Sequence, residues 1–225
     1  VGFGTPYLIG TSTPGTAQTE TINVSTATGR GDAIVVACAN SSSAGAAVSG
    51  VADSKGNVYT AAIAAVSSNE FGQPYTSGGQ NALTTSDTIT ATYSTTTGEK
   101  LLMAVGVPGA CGAAVDQAAS AHGTSTSPSV TSGALAIAEE MAIGIILNAL
   151  AGGAPSGLGS FTLIDSFQSG SSPEATMAYL QVSATTAVTF SGTITSTTWC
   201  AFVLTMTASG RLAVASQAVN RASFY

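Results

Sequence analysis

The sequence predicts an all-β protein, a jelly-roll-like two-sheet sandwich built from two related halves and flanked by extended terminal arms. Three observations carry that expectation. The first is a pattern that occurs twice. One copy runs from Gly31-Asp32 and the apolar segment Ala33 to Cys38, through Asp53-Ser54-Lys55-Gly56-Asn57 and the Thr-rich run Asp87 to Tyr93, to the apolar run Leu101 to Val105. The other runs from Gly133 to Ile137, through Gly159 to Ile164 and Ala187 to Phe190, to Trp199 to Leu204. Neither copy alone can cover its apolar face, so the two belong to one layered unit. The second is composition. Of 225 residues only 7% are charged while 44% are hydrophobic, and about a quarter are Ser or Thr, the usage of a β-former with an uncharged surface. The third is a two-residue period in segment after segment, which places alternate side chains on opposite faces.

In chain order, residues 1–18 are rich in Gly, Pro and Thr and read as an extended N-terminal arm. The β-sandwich domain follows over 19–209, with half-repeats at about 19–120 and 133–209. Thr19 to Ser25 alternates as a strand. Asp32 to Ala39 is apolar at every position from Ala33, which predicts burial on both faces. Asp53-Ser54-Lys55-Gly56-Asn57 reads as a tight hairpin turn with Gly56 in the left-handed position, and Val58 to Val66 as the return strand. Residues 67–86 read as a long polar loop, with Phe71 and Tyr75 as its candidate contact residues. Strands are expected at 87–94 and 100–107, with Cys111 in a loop after them. Residues 121–132 read as the connector between the copies.

Leu135 to Asn148 has helix-favouring residues, yet its large apolar residues alternate, so it reads as a strand with a bulge at Glu139-Glu140. Further strands fall near 160–167, 174–183, 186–192 and 198–207. Residues 210–225 form a C-terminal tail that carries Arg211 and Arg221 and no acid.

Charge excludes one class of function. Five basic and eleven acidic residues give a net charge of -6 and a pI near 4.4. Nucleic-acid binding needs clustered cations to displace counterions from phosphates, so no nucleic-acid partner is expected. No run of 18 strongly apolar residues predicts a membrane span, and no basic segment followed by a long apolar one predicts a signal peptide. The three cysteines form no CxxC or ligand cluster. Cys38 and Cys200 read as small core hydrophobes, with a Cys38–Cys200 disulfide as the less favoured alternative.

Candidate chemistry is sparse. His122 is the only histidine; it lies in a Gly/Ser/Thr run without a G-x-S-x-G elbow. Glu139 and Glu140 are strand neighbours, which point to opposite faces and so do not form a facing carboxylate pair. Asp53 and Asn57 suit a turn better than a calcium ion, which takes six to eight oxygens. Trp199, beside Cys200 in an apolar run, suits packing better than a sugar platform. Asn23-Val24-Ser25 and Asn40-Ser41-Ser42 are glycosylation sequons that matter only in a eukaryotic secretory host. No catalytic residue, cofactor or metal is expected.

Gly31-Asp32 with its strand, followed by Val51-Ala52-Asp53-Ser54-Lys55-Gly56-Asn57-Val58-Tyr59-Thr60, resembles a "GD…DSxGNxYT" pattern of β-sandwich proteins of bacteriophage virions and of secreted actinobacterial proteins. Gly159-Ser160-Phe161-Thr162-Leu163 and Trp199 match the second half of that pattern, while Gly133-Ala134 departs from its second "GD". The resemblance covers about 20–208 and implies a structural role without catalytic residues. The expected function is a non-enzymatic virion protein, a minor tail component or head decoration protein. Its partners would be copies of itself, a closed trimer among the arrangements that fit, and other virion proteins. Arg211, Arg221, Phe224 and Tyr225 would dock on a neighbour. The alternative is a secreted or cell-surface adhesion or carbohydrate-binding module that holds a host-surface glycan through Phe71 and Tyr75.

Overall fold

The computed structural model describes residues 2–42, 47–67, 70–149, 154–167 and 173–208, with 111–114 described by backbone alone. The fold is an all-β sandwich, and among the described residues there is no helix. The first half contributes β1 (Tyr7–Thr11), β2 (Thr19–Asn23), β3 (Ala33–Asn40), β4 (Val48–Asp53), β5 (Tyr59–Ala61), β6 (Val66–Ser67), β7 (Phe71–Ser77), β8 (Thr88–Tyr93) and β9 (Lys100–Val107). The second contributes β10 (Ala110–Ser125), β11 (Ser129–Thr131), β12 (Glu140–Asn148), β13 (Thr162–Phe167), β14 (Glu174–Val182), β15 (Thr189–Ser191) and β16 (Thr197–Ala208).

The repeat is visible in the strand order. The inner sheet of the first half runs β1-β9-β3-β7-β5, with β6 also on β7; that of the second runs β10-β16-β12-β14-β13. Each half adds a smaller outer sheet, β2-β8-β4 in one and β11-β15 in the other. Opening strands β3 and β12 thus correspond, as do closing strands β9 and β16 and the Thr-rich strands β8 and β15.

Three apolar layers hold the four sheets together. Ala33, Val35, Ala37 and Met103 of one inner sheet meet Met141, Ile143, Ile145 and Phe202 of the other. The opposite faces of the inner sheets pack outward: Ile34, Val36 and Leu102 on Ile22, Ile89 and Tyr93, and Ile146 and Val203 on Val130 and Phe190. This stacking is why β3, β9 and β12 are buried at every position. Full burial of a Val, Ile or Leu side chain stabilises by about 1.5–3 kcal/mol. Gly144 makes room for one such contact, since a Cβ there would collide with the Phe190 ring.

Three expectations about the strand boundaries are corrected first. Tyr7–Thr11, expected in an arm, is the edge strand of the first inner sheet and pairs with β9. Residues 71–77, expected in a loop, form β7 between β3 and β5. Its Pro74 accepts from Ala62 N–H at 2.9 Å; its missing donor faces the same side, where the outer neighbour breaks between β5 and β6, so no ladder bond is lost. The halves join at the turn after β9 rather than at 121–132, because β10 already runs through Ser125. Its Ala- and Ser-rich sequence is that of a partly exposed edge strand.

The Asp53 turn forms as expected, with Gly56 at φ 73°. Its flanking strands do not pair as a hairpin: β4 joins β8 in the outer sheet and β5 joins β7 in the inner one. In the second half, the expected strand over Leu135 to Asn148 begins at Glu140. Glu139 before it is left-handed at φ 64°.

Candidate functional site: the hydroxyl-lined outer sheets

The two outer sheets present alternate residues to solvent. On β2 the outward residues are Thr19, Thr21 and Asn23, and the inward ones are Glu20 and Ile22. On β8, Thr88, Thr90 and Thr92 alternate with fully buried Ile89, Ala91 and Tyr93. The second outer sheet repeats the design: Ser129 opposes Ser191 and Thr131 opposes Thr189 across β11 and β15. The Thr21 and Thr90 hydroxyls are hydrogen-bonded at 2.9 Å, and so are those of Thr131 and Thr189, also at 2.9 Å. Such cross-strand pairs contribute a few tenths to about 1 kcal/mol each. On the first outer sheet, Ser49, Gly50, Val51, Ala52, Thr90 and Thr92 line a shallow depression of about 280 Å³. Desolvating hydroxyls costs far less than desolvating charges, provided that each finds a partner.

The turn behind this face is an interlocked hydrogen-bond clamp. Asp53 accepts four bonds, from Lys55 N–H (2.9 Å), Asn57 N–H (3.1 Å), Asn57 Nδ2 (2.7 Å) and the Tyr59 hydroxyl (2.9 Å). Asn57 also donates to Asn81 O at 2.9 Å and accepts from Asn81 N–H at 2.8 Å. Asp87 accepts from Ser54 Oγ (2.7 Å), Thr84 N–H (2.8 Å) and Thr84 Oγ1 (2.7 Å), which holds its carboxyl well below the usual range. The oxygens of Asp53 that a cation would need are occupied by donors from the chain itself. Among the described residues, no three His, Cys, Asp or Glu side chains converge.

The other expected residues fall as follows. Phe71 and Tyr75 are 2% and 7% exposed. They pack in the layer under the first outer sheet, with the Tyr75 hydroxyl donating to Val48 O at 3.0 Å, so they form no contact loop. Trp199 is in the core of the second half and donates to Ser125 Oγ at 3.0 Å. His122 is exposed on β10, paired in register with Cys200. Glu139 is exposed and Glu140 buried; burial first, then neighbouring Asp116, pushes the Glu140 carboxyl upward. Cys38 and Cys200 are free and lie in different layers, so no disulfide joins them. Cys111 lies at the start of β10 rather than in a loop. Asn40 of the second sequon is fully buried. Arg211, Arg221, Phe224 and Tyr225 lie outside the described residues.

Sequence reasoning passed over two buried ionisable sites. Glu70 lies beside Cys200, whose Sγ donates to Glu70 O at 3.3 Å. Both Glu70 carboxyl oxygens are buried without a hydrogen-bond partner, and burial pushes the group up to about 9. Lys100 and Asn40 are each 0% exposed and sit side by side on β9 and β3. Position in an otherwise apolar strand was the available signal for Lys100.

No family model matches the chain, and no curated protein matches it. Among solved structures, the C-terminal domain of the AgI/II polypeptide BspA of Streptococcus agalactiae aligns over 90% of both chains at 8% identity. Its TM-score of 0.17 is too low to carry an argument about fold or function.

Proposed function

We propose that the protein is a non-enzymatic structural component of a bacteriophage virion, a minor tail or head decoration protein, which assembles with copies of itself and with neighbouring virion proteins. The carrying observation is the pair of uncharged, hydroxyl-lined outer sheets, built to the same design in both halves. Ser129, Thr131, Thr189 and Ser191 on one, and Thr19, Thr21 and Thr90 on the other, can meet a neighbour without burying a charge. The residues that resemble the virion pattern serve the architecture: Asp53, Asn57 and Tyr59 lock a turn. In this reading Arg211, Arg221, Phe224 and Tyr225 dock on a neighbour, and deletion of 211–225 should lower incorporation into particles.

The alternative, a secreted adhesion or carbohydrate-binding module, rested on Phe71 and Tyr75, which lie in the core. Immunogold electron microscopy of the native source, with antibody to the recombinant chain, separates the readings. Label on particles is the expected result and locates the protein on head or tail. Label on cell surfaces with bare particles would overturn the virion assignment.

A further inference from the structure

A lysine is seldom fully buried without a carboxylate partner. Lys100 is 0% exposed, and its Nζ meets only main-chain carbonyls among its described hydrogen bonds: Gly98 at 3.0 Å, Thr16 at 3.4 Å and Thr97 at 3.5 Å. The Tyr93 ring lies 5.6 Å from it. Among the described residues the ion pair formed is elsewhere, between Lys55 and Asp87.

Its cross-strand neighbour is Asn40, also 0% exposed. The two side chains share the face that packs toward the first outer sheet. Asn40 Nδ2 donates to Thr97 O at 3.1 Å, the same oxygen that Lys100 Nζ approaches. Asn40 Oδ1 accepts from Ser42 N–H at 2.9 Å, which orients the carboxamide and polarises its carbonyl. Gly98, at φ 76°, lies so close to Asn40 Oδ1 that a Cβ there would collide with it. Glu20, 7% exposed on the inner face of β2, reaches the same corner: a Cβ on Gly15 would lie 3.1 Å from its Oε2, and Gly15 exchanges both backbone hydrogen bonds with Lys100, at 3.2 and 2.7 Å. Burial lowers the amine's pKa and raises that of the carboxyl. Both shifts favour a neutral amine and a protonated acid, the states that nucleophilic attack on an amide needs.

We propose that Lys100 and Asn40 form an intramolecular isopeptide bond that joins β9 to β3, with Glu20 as the proton relay. The Nζ lone pair attacks Asn40 Cγ and a new C–N bond forms. The bond from Cγ to Nδ2 then breaks. One proton passes from Nζ through Glu20 to Nδ2, which leaves as ammonia. The product is a secondary amide, and no oxidant, reductant or cofactor enters. The second half supplies an internal comparison: Asn148 occupies the place of Asn40, but its neighbour on the closing strand is Trp199, so the cross-link belongs to the first half alone.

Intact-mass spectrometry of the full chain under denaturing conditions tests this. The expected mass is lower than the sequence mass by one ammonia, about 17 Da, and a protease digest should yield a branched peptide joining Lys100 to Asn40. Lys100→Met should restore the full mass. Asn40→Asp should exchange the loss of ammonia for a loss of water, about 18 Da. Glu20→Gln should slow bond formation by about 100-fold; an unchanged rate would overturn the relay. Full sequence mass in the wild-type chain, or a deficit that maps to other residues, would overturn the cross-link. Both results come from the wild-type protein, so they stand even where a variant fails to fold, and they are independent of the virion reading.

Discussion

The Tyr7 hydroxyl donates to Asp32 Oδ2 at 2.8 Å, and Gly29 N–H donates to the same oxygen at 2.9 Å. One carboxylate therefore closes the turn before β3 and anchors edge strand β1. Burial, then the adjacent Asp32 charge, pushes the Tyr7 hydroxyl far above its ordinary range. The "GD" element thus works as a latch between the first strand and the start of the central one.

Removing that hydroxyl should loosen the edge strand. Tyr7→Phe keeps the ring and leaves Asp32 with one donor fewer, so a loss of about 1–2 kcal/mol is expected for a partly exposed, charge-assisted bond. Denaturant unfolding should show a lower midpoint with an unchanged slope.

Asn57 ties the turn to Asn81. Asn57→Ala removes three side-chain bonds, two to which Nδ2 donates and one that Oδ1 accepts. The expected cost is about 2–4 kcal/mol, part of it from the unpaired Asn81 N–H left behind. Thermal unfolding of the variant beside wild type checks the size.

Phe71→Ala should act through the core. The ring is 2% exposed, so truncation should cost about 3–5 kcal/mol. A glycan array on folded Phe71→Ala protein should match wild type, and selective loss of sugar binding without loss of stability would restore a contact role.

Glu70 should make stability fall as pH rises. The unfolded carboxyl ionises near about 4.3, whereas burial holds the folded one protonated up to about 9. Between those values the folded state binds more protons than the unfolded, so stability is greatest below the lower value. It is lost toward the upper one, at up to about 1.4 kcal/mol per pH unit. Glu70→Gln cannot ionise and should flatten this slope. Equal slopes for the two proteins between pH 5 and pH 9 would contradict the assignment.

Legibility tracked burial. The runs at β3, β9, β12 and β16 stood out in the sequence because stacked inner sheets are covered on both sides, which demands near-continuous apolar residues. Strand β7 was hidden because Gly72, Gln73, Pro74, Thr76 and Ser77 have the composition of a loop. Its place in the sheet depends on β3 pairing beside it and on a broken neighbour opposite Pro74. The Asp53 turn was readable from local chemistry, but the divergence of β4 and β5 was not, since a turn fixes a reversal and not the sheet that each arm joins. Of the outer faces, the hydroxyl content was readable; that Thr21 meets Thr90 and Thr131 meets Thr189 follows only from register.

The sequence by itself determined the class, the two related halves, the apolar strands that open and close each half and the turn that Asp53 and Gly56 build. These follow from periodicity and from backbone preferences within a few residues. The tertiary structure alone decided that the halves stack as four sheets with three apolar layers. It also decided that Phe71 and Tyr75 lie inside, and that Lys100, Asn40 and Glu20 share one buried corner. The reason is physical: strand pairing and sheet stacking are contacts between residues far apart in the chain, and local pattern records that a face must be covered without recording what covers it.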